Sequence, residues 1–131
     1  MGGGMSNKKV LIIDDSATDQ VVMKDQLEKR NYTIELASSG EEGLEKLKTY
    51  QPILVIVDTV LPQLNGFEVC EKIKSLPNPP KVIVITGSIH AVDAKKARDA
   101  EADGYAIKTI NGDSLLEVMD NVLSTSCEAE S

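Results

Sequence analysis

Five short apolar runs rich in β-branched residues constrain the fold more than any other feature: Val10–Ile13, Tyr32–Ala37, Ile53–Val57, Val82–Ile85 and Tyr105–Ile107. Uninterrupted runs of this length suit strands buried on both faces of a parallel sheet. Parallel neighbours need crossovers, and helix-length segments stand between the runs. The first helix extends from Ala17 to Arg30, opened by a Ser16-x-x-Asp19 capping pair, with Met23 and Leu27 four apart and Val22 beside them. The second follows Ser39-Gly-Glu-Glu42, a capping box, and puts Leu44 and Leu47 on one face. The third, Gly66 to Ser75, sets Val69, Cys70, Ile73 and Leu76 at helical spacing. The fourth, Val92–Ala100, offers only Ala94, Ala97 and Ala100, so it should pack least tightly. The fifth, Ser114–Leu123, has Leu115, Val118, Met119 and Val122 on one side. The alternation predicts an α/β, doubly wound fold: parallel strands, right-handed crossovers and helices on both faces.

A chain of 131 residues suits one domain with its own core, without disulfides or structural metal. A net charge of -7 repels nucleic-acid phosphate, so no direct nucleic-acid partner is expected. The apolar runs are too short to span a bilayer and the N-terminus lacks a signal-peptide core, so no membrane partner is expected and the cytoplasm is the default location. Cys70 and Cys127 have no metal-ligand spacing; Cys70 reads as a small core residue, Cys127 as inert. Residues 1–7 read as a leader, with Met1–Gly4 an added extension ahead of Met5 rather than a lipidation signal. Residues 8–124 read as the domain, and 125–131 as a polar, frayed tail.

Ligands of a doubly wound sheet collect outside the carboxyl ends of its strands. Asp14 and Asp15 follow the first run, Asp58 the third, Thr86 the fourth and Lys108 the fifth, so all five can converge on one cleft. Clustered carboxylates repel one another, and a hard divalent cation with oxygen ligands relieves that repulsion. A carboxylate can also attack phosphorus, while a metal and an ammonium neutralise the phosphoryl oxygens and a hydroxyl donates to them. Each residue alone has a plainer role: Asp14 and Asp15 as turn and cap, Asp58 as a turn residue, Thr86 as a strand end, Lys108 as a solvated lysine. Their joint placement at four strand ends favours a site.

Val10-Leu-Ile-Ile-Asp-Asp-Ser16, Val55-Ile-Val-Asp-Thr-Val-Leu-Pro-Gln-Leu-Asn-Gly66, Val82-Ile-Val-Ile-Thr-Gly87 and Ala102-Asp-Gly-Tyr-Ala-Ile-Lys108 resemble the receiver domains of two-component response regulators, among them the chemotaxis receiver. The resemblance spans residues 8–124 and implies a flavodoxin-like (βα)5 fold with strand order 2-1-3-4-5. It implies that Asp58 is the phosphoacceptor. Asp15 would be a direct Mg2+ ligand, Asp14 its acidic neighbour acting through water, and Asp58 with the Val60 backbone carbonyl would complete the set; Mn2+ is the alternative ion. Lys108 would pair with the Asp58 carboxylate and then with the phosphoryl group. Thr86 would shift toward that group, and Tyr105 would be the aromatic switch that turns inward. The implied partners are a histidine kinase or phosphotransfer protein, an unknown downstream protein, and a second copy in a phosphorylation-dependent dimer. The chain would assist its own phosphorylation rather than act on an external metabolite.

The chain departs from that pattern in places. Thr109 follows Lys108 where the family has proline, which puts the usual cis bond in doubt, since a cis bond before a non-proline residue costs about 2.5–4 kcal/mol. Gly87 follows Thr86 and would loosen the next loop, and Asn65-Gly66 stands where Asp-Gly is frequent. Val60 and Ser88 occupy positions that tune dephosphorylation in the family. Val60 has no group to orient an attacking water, so slow self-dephosphorylation is expected, to be read from phosphate loss in Val60→Asn beside the parent. His90 sits in a loop, poorly placed as phosphodonor or metal ligand. Two other functions fit less of the sequence. An aspartyl phosphohydrolase would need an acid where Val60 stands. A phosphorylation-independent interaction module is favoured only by Thr109.

Overall fold

The computed structural model describes residues 8–87 and 91–129. Expectations on the leader, on Ser88 and His90, and on the Cys127 side chain lie outside the described residues. The elements are β1 (Lys9–Ile13), α1 (Ala17–Glu28), β2 (Thr33–Ala37), α2 (Gly40–Tyr50), β3 (Leu54–Asp58), α3 (Gly66–Lys74), β4 (Lys81–Thr86), α4 (Ala91–Asp99), β5 (Gly104–Ile107) and α5 (Asp113–Ala129). All strand pairs are parallel, in the order β2-β1-β3-β4-β5. That is the order implied by the resemblance.

Side chains alternate across a strand, so each central strand feeds two cores. Leu11 and Ile13, with Val55, Val57, Val82 and Val84, meet Leu47 of α2, Val69, Cys70 and Ile73 of α3, and Ala100 after α4. Val10 and Ile12, with Leu54, Ile56, Ile83 and Ile85, meet Met23 and Leu27 of α1 and Leu115, Met119 and Val122 of α5. Continuous burial holds for β1 after Lys9, for β3, and for β4 after Lys81. The edge strands β2 and β5 are only half-buried.

Local chemistry sets the helix starts. Ser16 Oγ accepts the Asp19 N–H at 3.2 Å, which caps α1 as expected, but the Asp19 carboxylate turns elsewhere. At α2, Ser39 Oγ accepts the Glu42 N–H at 3.1 Å, whereas Glu42 Oε1 accepts from Ser38 N–H rather than from the cap residue. The expected box is therefore half made there. The reciprocal box is at α3, between Asn65 and Glu68. α5 continues through Ser124 to Ala129, past the point where a frayed tail was expected. Leu76 lies beyond the end of α3 and is exposed.

Candidate functional site

The register brings the polar residues that follow the strands to one edge of the sheet. β1 pairs with β3 up to Ile13–Val57 and β3 with β4 up to Asp58–Ile85, so Asp14 and Asp58 leave adjacent strands side by side. Thr86 ends β4 opposite Ile107, and the Lys108 N–H donates to the Thr86 carbonyl at 2.7 Å. Asp14, Asp58 and Thr86 are buried, and Asp15 is exposed. One carboxylate oxygen from each of Asp14, Asp15 and Asp58 lies within 4.8 Å of the others. Asp14 also serves the turn, since its Oδ1 accepts the Ser16 N–H at 2.9 Å.

Lys108 Nζ enters this cluster from the β5 end. It lies 2.8 Å from Asp14 Oδ2, 2.7 Å from Asp19 Oδ2 and 3.3 Å from Asp58 Oδ2. The Asp19 and Asp58 contacts are directed hydrogen bonds. The Asp14 contact is an ion pair only: that buried oxygen receives no hydrogen bond among the described residues. No peptide bond among the described residues is cis, so Lys108 reaches the site through a trans bond to Thr109.

Burial raises the Asp58 carboxyl to a pKa of about 6; the charge of Asp14 adds to the rise, and Lys108 and the Val60 N–H oppose it. Burial alone would lower the Lys108 pKa, but the Asp14 and Asp19 carboxylates, with the charge of Asp58, outweigh it and hold the ammonium above the ordinary lysine value.

Two neighbours shape the pocket wall. The buried Gln20 amide donates to the carbonyls of Asp14 at 2.6 Å and Ala37 at 3.1 Å, fastening the end of β1 to α1. A Cβ on Gly66 would strike the Asp58 carbonyl oxygen, so glycine lets α3 start against the end of β3. The Val60 side chain is exposed, and its N–H donates to Asp58 Oδ1 at 3.3 Å. Tyr105, paired with Val84 of β4, packs against the core on the α3 side of the sheet, and its buried hydroxyl has no hydrogen-bond partner among the described residues. The structure therefore brings Asp14, Asp15, Asp58 and Lys108 together, with Thr86 at the adjoining strand end, and Tyr105 stands a short way along β5.

Sequence reasoning missed Asp19 and Gln20 as parts of this wall. Once a helix begins just after Asp15, residues 19 and 20 fall within its first turn, at the same sheet edge. That placement was a usable signal, but the capping pattern explained Asp19 without it.

Residues 10–120 match the response regulator receiver domain family. The chain belongs to that family. Among curated receivers, it is 32% identical over 102 residues to the alkaline phosphatase synthesis transcriptional regulatory protein PhoP of Bacillus subtilis, covering 78% of this chain and 42% of that protein. It is 31% identical over 108 residues to the response regulator ArlR of Staphylococcus aureus, covering 82% and 49%. The chain thus spans less than half the length of these relatives. Among solved structures, a CheY-like receiver domain protein of Methanospirillum hungatei superposes with a TM-score of 0.82 at 31% identity, covering 94% of this chain and 99% of that one. The response regulator TrrA of Thermotoga maritima, solved in complex with Mg2+ and BeF, gives 0.80 at 31% identity, covering 88% and 98%. Receiver domains are phosphoacceptors fed by histidine kinases, and they bind Mg2+ at an acidic pocket of this kind. No helix among the described residues is long and apolar enough to cross a membrane.

Proposed function

We propose that this receiver accepts a phosphoryl group on Asp58, in a Mg2+-dependent step, from a histidine kinase or phosphotransfer protein. The observation that carries the reading is the buried Asp58 carboxylate set between two further carboxylates and the Lys108 ammonium. An Asp58 oxygen forms the new bond to phosphorus as the bond from phosphorus to the donor's leaving group breaks, and that group departs with the electron pair.

The donor set fits a hard cation: three carboxylates close together, with Asp14 and Asp58 buried and Asp15 exposed toward solvent. Asp14, Asp15 and Asp58 would hold the ion with the Val60 carbonyl. The ion, Mg2+ or Mn2+, supplies positive charge to the phosphoryl oxygens and relieves carboxylate repulsion.

Lys108 neutralises the phosphoryl group from the other side, and the Thr86 hydroxyl donates to it. Phosphorylation adds about -1.5 to -2 charge and three acceptor oxygens, enough to redraw these bonds. Movement at Thr86 is then passed to Tyr105, whose buried hydroxyl, without a hydrogen-bond partner among the described residues, suits a side chain with more than one stable position. The β5 face and α4 would change shape and bind a downstream protein or a second copy.

Val60 and Ile110 are exposed two residues beyond Asp58 and Lys108, and Val22 is exposed on α1. These apolar residues suit docking of a protein donor. The acidic surface favours a protein over nucleic acid, and cytoplasmic residence goes with a kinase-fed switch. Intact-mass measurement after acetyl phosphate and Mg2+ tests the assignment. The parent chain should gain one phosphoryl group and Asp58→Asn none. A parent that gains nothing, or an Asp58→Asn chain that gains as much, would end it.

A further inference from the structure

We propose that Asp19 is a positioning residue that holds the Lys108 ammonium back from Asp58 until a phosphoryl group arrives. The inference rests on the function proposed above and adds a control on its rate.

Of the directed bonds made by Lys108 Nζ, the one to Asp19, at 2.7 Å, is shorter than the one to Asp58, at 3.3 Å. The ammonium therefore sits closer to Asp19 and Asp14 than to Asp58. Asp19 is well placed to hold it there because its own N–H donates to the cap oxygen of Ser16, which fixes the first turn of α1 against the site. Besides Asp19, the ammonium has Asp14 Oδ2 at 2.8 Å, and a small cavity beside it is lined by Asp19, Val22, Met23 and Thr109 among others.

The Asp19 side chain is 39% exposed, so when Lys108 leaves it can return to water at small cost. An incoming phosphoryl group competes for Lys108 with more negative charge than the Asp58 carboxylate alone. As the Asp58 oxygen bonds to phosphorus and the donor's leaving group departs with its electron pair, the Asp19–Lys108 contact must give way. Asp19 therefore slows phosphoryl arrival, and its removal should speed it.

The experiment follows phosphorylation by acetyl phosphate at saturating Mg2+, read by intact mass, in the full chain. Asp19→Asn should raise the apparent second-order rate constant about twofold to fivefold, the range of one part-exposed ion pair. Asp19→Glu, which restores the carboxylate, should return the rate toward the parent. In a Lys108→Met background the gain from Asp19→Asn should vanish, because Asp19 acts through the lysine. The proposal is overturned by an Asp19→Asn rate at or below the parent's, by equal acceleration in Asp19→Glu, or by the same gain without Lys108, which would mean simple repulsion of an anionic donor. A parent chain that takes no phosphoryl group at all overturns the function proposed above as well, and that failure shows in the parent arm alone.

Discussion

Asp58 sits in a place that disfavours its charge, and this has a thermodynamic consequence. Its carboxyl rises from 3.8 to about 6 on folding, through burial first and the Asp14 charge second. A group that binds its proton more tightly in the folded chain lends stability at low pH, and that stability is lost as pH rises from near 4 through about 6. A shift of about two units corresponds to about 3 kcal/mol at most, and pocket relaxation would reduce it to ~1–3 kcal/mol. In cation-free buffer at pH 7.5, Asp58→Asn should therefore be more stable than the parent by that amount. At pH 4 the gap should have closed. Paired urea melts at the two pH values check this; a variant less stable than the parent at pH 7.5 would show that Lys108 holds Asp58 better than burial penalises it. Residues such as Asp58 and Lys108 were legible in the sequence because each directly follows an apolar run. Asp19 was not, because one residue both donates its N–H to a cap and gives its carboxylate to a lysine far along the chain, and sequence spacing reports only the first.

Elements were legible to the degree that burial dictates their composition. β1, β3 and β4 are enclosed on both faces, and their runs could hardly be anything but strands. The helix caps were less so: Ser39-x-x-Glu42 has the pattern of a full box, yet the Glu42 carboxylate goes to Ser38 N–H and Lys46, while Asn65 and Glu68 close the box that was overlooked. Both choices turn on where the neighbouring chain passes, which local sequence does not state. α4 is the element whose weakness was plain in advance. Among its described side chains only Ala97 is buried, Val92 is exposed, and small side chains give little area to hold a helix on the sheet. Local opening follows low burial. Native-state hydrogen exchange should show α4 amides opening at lower free energy than those of α1 or α3, whose Leu27 and Ile73 are fully buried. Equal protection across the three helices would contradict this account. A readily shifted α4 also suits the shape change proposed for that face.

At the scale of the whole molecule, the two cores and the pocket pull in opposite directions. Central strands buried on both faces hold the strand ends rigidly side by side, which forces Asp14 and Asp58 together whether or not their charges are balanced. Around that edge, among the described residues, the carboxylates of Asp14, Asp15, Asp19 and Asp58 stand with the ammonium of Lys108. The fold thus carries a local electrostatic cost that a bound dication would remove. A ligand that binds only the folded chain stabilises it by RT ln(1 + [L]/Kd), about 1.4 kcal/mol at tenfold excess over Kd. For a chain of this size that is a rise in Tm of about 3–6 °C. Mg2+ should produce this rise, while NaCl at matched ionic strength should produce much less, because screening acts weakly on buried charges. Asp15→Asn, which removes an exposed ligand without touching either core, should shrink the Mg2+ response, and Asp15→Asn with Asp58→Asn should abolish it. If NaCl reproduces the rise, or the double variant keeps it, the acidic edge is only an accumulation of negative charge and not a cation site.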